Sequence, residues 1–210
     1  MKNRLIPLIA IILATSAVTS VSAAGPNGRQ DTRPFGQRTQ VTQLNPLVAG
    51  DAASLLWMRE EEKLARDVYR RLYDQWRDPV FANIAKSEQR HFDALGSLIS
   101  TYQLTDPASL FDGTFAQVEL QDLYVTLVST GMTSLVSALT VGATIEDLDI
   151  RDLQEAIDAT TNPNLKATYG NLLNGSKNHL RAFASRLQLM GVEYTPQYID
   201  ALLYDSIIGL

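Results

Sequence analysis

From Asp51 onward, apolar residues recur at three- and four-residue intervals, the period of a helix with one buried face. The stretch 51–77, DAASLLWMREEEKLARDVYRRLYDQWR, carries Trp57, Leu64, Val68 and Leu72 along one stripe and stops before Asp78 and Pro79. Asp78 is placed to cap a second helix and Pro79 suits its first turn. That helix is predicted to run to about Tyr102, where QLTDP breaks it. Residues 103–114 read as a loop, and 115–130, FAQVELQDLYVTLVST, as a shorter helix ended by Gly131. A third long helix starts near Ser134 and reaches TTNP; Asn162 and Pro163 then cap a fourth, closed by Gly191. In the tail, YTPQYIDALLYDSIIGL, one more short helix is predicted, with Thr195 as cap and Pro196 at its first position. No segment alternates as a strand would.

Almost nothing joins helices one and two, or three and four, so each pair forms an antiparallel hairpin. The 30 or so residues between the hairpins are long enough to run the length of a bundle and start helix three at a new corner. The expected fold is therefore all-α: a ferritin-like four-helix bundle over 51–191. Its long crossover between helices two and three contains a short extra helix, and 192–210 form a C-terminal helical appendage.

Each long helix turns a titratable group toward its own apolar stripe. At about 100° per residue, Phe81, Ile84, Phe92, Leu95, Ile99 and Tyr102 fall within roughly 40° of Glu88, and His91 follows one turn later. On helix one, Trp57, Leu64, Ala65, Val68 and Leu72 lie within about 60° of Glu61, which puts Glu60 and Glu62 near 100° to either side, at the edge or in solvent. On helix three, Leu135, Leu139, Ile150, Leu153 and Ile157 surround Glu146, with Asp149 at the border of that face. On helix four, Leu172, Phe183 and Met190 surround His179. Both histidines of the chain thus point inward.

A single buried Glu or His is usually satisfied by an arginine or a hydrogen bond. Several carboxylates buried together cost several kcal/mol per charge unless something positive joins them. The inward positions hold no Lys or Arg at their centres, although Arg186 approaches the stripe of helix four. Oxygen ligands with a minority of imidazoles suit divalent iron or manganese, and zinc is compatible. Glu61, Glu88, Glu146 and Asp149 would neutralise two divalent ions, with neutral His91 and His179 donating lone pairs.

The N-terminus changes the setting of this domain. Lys2 and Arg4 precede the apolar run LIPLIAIILATSAV, and VSA lies before Ala24, the pattern of a secretory signal over 1–23, cut after Ala23. Thr15, Ser16, Thr19 and Ser20 cut that run short of a membrane span. The expected location is secreted or periplasmic, with no membrane attachment after cleavage. Residues 24–50 are rich in Gly, Pro, Gln and Thr and read as a flexible leader. The absence of cysteine excludes a disulfide framework and a lipid-anchored start. A formal charge of −5, two units more negative without Lys2 and Arg4, argues against nucleic acid as a partner.

The stretches MREEEKLARDVY, IAKSEQRH, LVSALTVGATIEDLDIRDL and GSKNHLRAF resemble the ferritin-like superfamily, and more closely a family of bacterial and archaeal ferritin-like domains labelled as of unknown function. The likeness covers about residues 50–200. Di-metal members of the superfamily take a carboxylate from each of two helices and Glu-x-x-His from each of the other two. The resemblance places Glu61 as the first-helix carboxylate, Glu88 with His91 as the second-helix pair, Glu146 on the third helix and His179 on the fourth. Ser176 stands where the fourth-helix Glu is expected, and Asp149 is positioned to replace it. By resemblance the chain is expected to hold two metal ions and to react with oxygen or peroxide as a ferroxidase- or peroxidase-like oxidoreductase. Electron supply through a cysteine-bound iron, as in rubrerythrin-like proteins, is excluded. The alternatives are metal binding without turnover and a metal-free helical interaction protein; a homo-oligomer is compatible with each.

Overall fold

The computed structural model describes residues 45–209; the expected signal segment and residues 24–44 of the expected leader lie outside the described residues. Six helices follow in order: α1 (Asp51–Trp76), α2 (Pro79–Thr101), α3 (Val118–Gly131), α4 (Leu135–Ala159), α5 (Pro163–Leu189) and α6 (Ala201–Ile208). No strand occurs among the described residues.

The boundaries follow from local chemistry. Arg77 closes α1 in the left-handed region, with φ 54°, and Asp78 at once caps α2 by accepting from the Val80 N–H, with Pro79 at the first position. Ser134 caps α4 through the Ser137 N–H. Asn162 caps α5 by accepting from the N–H groups of Asn164 and Leu165. The same Asn162 side chain donates to the carbonyls of Asn45 and Pro46, so the last residues of the expected leader are tied to the helices.

Helix α1 lies along α2 and α4 along α5, and the two hairpins meet through α1 with α4 and α2 with α5. Helix α3 bridges α1 and α4, and α6 rests on α5. Leu55, Val68, Leu72, Phe81, Leu95, Leu139, Ile150, Leu153, Leu165 and Phe183 are fully enclosed between them. Burying a side chain of this size removes about 1.5–3 kcal/mol of exposed apolar surface cost. An aromatic group of Tyr69, Phe81 and Phe183, with centroids 5.3–6.5 Å apart, fills one end of the interior. Gly142 permits this packing, because a Cβ there would sit 2.5 Å from the Phe183 ring.

Three expectations are corrected. The short crossover helix begins at Val118 rather than Phe115, because the N–H groups of Ala116 and Gln117 donate to the Glu60 carboxylate at 2.7 and 3.0 Å. The tail helix begins at Ala201, with Asp200 as cap, instead of Pro196 with Thr195. Buried Asp147 is the reason: it accepts from the N–H groups of Gln197, Tyr198 and Ile199 and from the Tyr194 hydroxyl, which holds that segment out of a helix. Glu60 and Glu62, expected at an edge or in solvent, are 0% and 1% exposed. The crossover covers the outer face of α1: Lys63 Nζ donates to Asp67 at 2.6 Å and to the Phe111 carbonyl at 2.8 Å, while the Gly113 N–H donates to the same Asp67. No helix among the described residues is long and apolar enough to cross a membrane.

Candidate metal centre

Glu88 projects from the middle of α2 with only 1% of its surface exposed. One of its oxygens, Oε2, lies 2.8 Å from His91 Nδ1, one turn along the same helix. The other, Oε1, lies 2.7 Å from His179 Nδ1, delivered by α5. Each imidazole meets a second carboxylate. His91 Nδ1 is 3.3 Å from Glu62 Oε2 on α1, and His179 Nδ1 is 3.4 Å from Glu146 Oε2 on α4. Four helices therefore supply two three-residue groups, Glu62–Glu88–His91 and Glu88–Glu146–His179, and Glu88 belongs to both. The histidine rings stack with centroids 5.5 Å apart. Each group is compact enough for one ion to reach all three donors.

The close contacts are not all hydrogen bonds. Glu88 Oε1 and His179 Nδ1 are 2.7 Å apart, yet neither has an aligned hydrogen-bond partner, and Glu62 Oε1 is likewise unpaired and buried. Buried donors and acceptors left in this state are costly. Unpaired acceptors and a ring nitrogen buried this close together are what a shared cation would satisfy. The residues present fit a pair of divalent ions in that sense.

Electrostatics agree with the geometry. Burial opposes the Glu88 charge, but His179 and then His91 outweigh it and hold the carboxyl down at about 2. Burial lowers His91 while Glu62 and Glu88 lift it to about 11; burial lowers His179 while Glu146 and Glu88 lift it to about 10. Burial pushes Glu62 well up, with Asp149 adding to the rise, and burial followed by the Glu88 charge raises Glu146. Among the described residues, no Lys or Arg pairs with any of these carboxylates: Lys63 serves Asp67 and Arg186 serves Asp78 at the start of α2. Without another cation the pocket answers its crowded negative charge by holding protons.

Three residues support the donors from behind. The Tyr69 hydroxyl donates to Glu146 Oε1 at 2.6 Å, leaving Oε2 toward His179. Ser176, where the superfamily pattern expects Glu, donates its hydroxyl to Asp149 Oδ2. Burial and then the Glu146 charge push Asp149 up to about 8. Gly175 makes room for His91, since a Cβ there would sit 2.6 Å from the ring at Cε1 and Nε2.

Of the six expected ligands, Glu88, His91, Glu146 and His179 come together as the groups just described. Asp149 lies beside them, on Ser176. Glu61 stands outside both groups, with a buried, unpaired Oε2 and its charge opposed by burial and by Asp152 and Asp149. From α1, Glu62 joins one of the two groups. Leu55 and Tyr69, seven residues to either side of Glu62 and therefore on its face, are both 0% exposed, but so is Val68, seven residues past Glu61, so helical spacing favours neither glutamate.

The chain belongs to the family described as "Uncharacterized protein domain (DUF2202)", whose model matches residues 51–209. It is 48% identical over 165 residues to the uncharacterized protein MJ0754 of Methanocaldococcus jannaschii, covering 78% of this chain and 89% of that protein. The crystal structure of the hypothetical protein MJ0754 from Methanococcus jannaschii is similar in fold, with a TM-score of 0.78 and 47% identity, across 79% of this chain and 95% of that one.

Proposed function

We propose that this chain is a ferritin-like metal protein of the cell envelope that holds two divalent ions, iron or manganese with zinc compatible, and reacts with oxygen or peroxide. The observation that supports it best is Glu88, whose two oxygens lie 2.7 and 2.8 Å from two imidazoles, each flanked by a further carboxylate. Two helical hairpins joined by a long crossover support the ferritin-like reading of the fold.

Glu62, Glu88 and His91 would hold one ion, and Glu88, Glu146 and His179 the other. A bound pair of redox metals supplies electrons and an open position for an oxidant. The chain's own residues set the conditions. Tyr69 fixes the rotamer of Glu146, and Ser176 holds Asp149 in place near Glu62 and Glu146. The crossover seals the outer face of α1, which keeps the carboxylates in a low-dielectric interior where they bind a cation strongly. Export through the 1–23 signal rests on the sequence pattern alone.

The test is metal content per chain after growth with iron, with an absorption spectrum before and after ferrous iron and then air or peroxide. The expected result is about two ions per chain, new near-ultraviolet absorption on oxidation, and loss of both in Glu88→Ala. Bound metal with no oxidant consumed leaves a storage or structural role. Less than a tenth of an ion per chain contradicts the proposal.

A further inference from the structure

A cavity of about 60 Å³ lies between α1, α3 and α4, and its floor is formed by Glu62, Glu88 and Glu146. Its walls are aliphatic: Leu64 from α1, Leu120 and Leu127 from α3, and Ile145 from α4, all buried. Neither histidine lines it, so it meets the candidate centre from the carboxylate side. Tyr198, 38% exposed, and half-buried Leu123 stand at its outer edge. The backbone of Tyr198 is pinned there by Asp147.

Size and polarity limit what this space can admit. Holding one water takes about 10–15 Å³ of such space, so the cavity accommodates about four to six water-sized groups, whereas sites for larger organic ligands span roughly 300–1,000 Å³. An ion crossing aliphatic walls would lose its hydration with nothing to replace it. Anions find no positive partner there, because among the described residues the lining has no Lys, Arg or His beside its acidic side chains, Glu61, Glu62, Glu88, Glu146 and Asp149. Hydrogen peroxide is small and neutral, but along the mainly apolar walls it would give up most of its hydrogen bonds to water, with Thr144, Tyr198 and the acidic side chains as the few polar partners. Dioxygen makes no such demand.

We infer that this chamber, walled by Leu64, Leu120, Leu127 and Ile145 above the Glu62–Glu88–Glu146 floor, is the route by which dioxygen, in preference to peroxide, reaches the metal centre. The inference rests on the proposed function and adds to it the oxidant and its path. It also gives α3 a purpose: the crossover helix forms the apolar wall of the entry.

Xenon is a neutral, apolar probe of suitable size. Crystals of the full chain under xenon pressure should show a xenon atom in the chamber, and Ala65→Leu, which extends a wall residue into the space, should remove it. Ferrous-loaded Ala65→Leu should bind as much metal as the wild type yet react with dissolved dioxygen at least tenfold more slowly, with its peroxide rate unaltered. Leu123→Trp, on the half-buried edge, provides the same comparison if Ala65→Leu does not fold. Absence of xenon from the wild-type chamber, or a dioxygen rate within twofold of wild type in both variants, overturns the inference while leaving the centre intact. An equal fall with peroxide overturns the preference for dioxygen. Wild-type protein that binds no metal overturns the proposed function itself, and with it the purpose of the chamber.

Discussion

Replacing Glu88 by Gln keeps the shape of the side chain and removes the one charge that both ligand groups share. In the wild type, each bound ion at a hundred times its dissociation constant stabilises the folded state by about 2.7 kcal/mol, if the unfolded chain binds none. For a domain of this size each kcal/mol moves the melting temperature by about 2–4 °C, so each ion should raise it by about 5–11 °C. Losing a supporting group behind a ligand typically weakens metal binding 10–100-fold. Glu88 is in direct reach of both sites, so a loss of at least 100-fold is expected. At the same metal concentration the gain then shrinks to about 0.4 kcal/mol for each ion, a shift of about 1–2 °C apiece. The readout is the difference between melting curves with metal and with chelator, followed by circular dichroism. This difference is insensitive to whatever the substitution does to the metal-free protein, where Glu88 is the partner of two imidazoles. Glu61→Gln is the matched control. Because Glu61 belongs to neither ligand group, its metal-induced shift should stay within about 2 °C of wild type, or half a kcal/mol or so. A full wild-type shift in Glu88→Gln would refute the shared-carboxylate reasoning, and a lost shift in Glu61→Gln would return the α1 ligand to that residue.

Tyr69→Phe removes the 2.6 Å hydrogen bond to Glu146 without changing the ring, so metal affinity measured against a chromophoric chelator should fall about 10–100-fold with the fold intact. Metal loading at pH 7 should release protons, because His91 and His179, lifted to about 11 and about 10 in the metal-free pocket, are protonated there and must give up the proton to act as ligands. Affinity should therefore weaken as pH falls, and calorimetry in buffers of different ionisation enthalpy that finds no proton release would contradict the assignment. Lys63→Met leaves Asp67 buried with only Arg66 and the Gly113 N–H, which should cost about 3 kcal/mol. The melting temperature should drop by about 6–12 °C, equally with and without metal, and a metal-dependent drop would show that the crossover clasp and the centre are coupled.

The four long helices were legible in the sequence because their caps and breaks are local: Asp78 with Pro79, Ser134, and Asn162 with Pro163 act on their own next turn. The inward direction of Glu88, His91 and His179 was legible because α2 and α5 each keep an exposed polar side, whereas on α4, where no residue before Gln154 is exposed, the apolar stripe alone marked Glu146. Helix α1 broke that rule. Its outer face is covered by the crossover, and Glu60, Glu62, Lys63, Arg66 and Asp67 are all buried. Periodicity cannot choose between adjacent glutamates on a helix enclosed on both sides. The contacts that enclose it, from Phe111, Gly113, Ala116 and Gln117, lie some 50 residues away in the chain. The late start of α6 has the same origin. Thr195 and Pro196 offer a sound local start, but Asp147 claims the following N–H groups from another helix.

Anomalous diffraction from crystals of the metal-loaded protein, collected on either side of the metal's absorption edge, tests the central claim most directly. Two peaks are predicted, one between Glu62, Glu88 and His91 and the other between Glu88, Glu146 and His179, each within about 2.0–2.2 Å of its oxygen and nitrogen donors. No peak touching Glu88, or metal bound only at the protein surface, would contradict it.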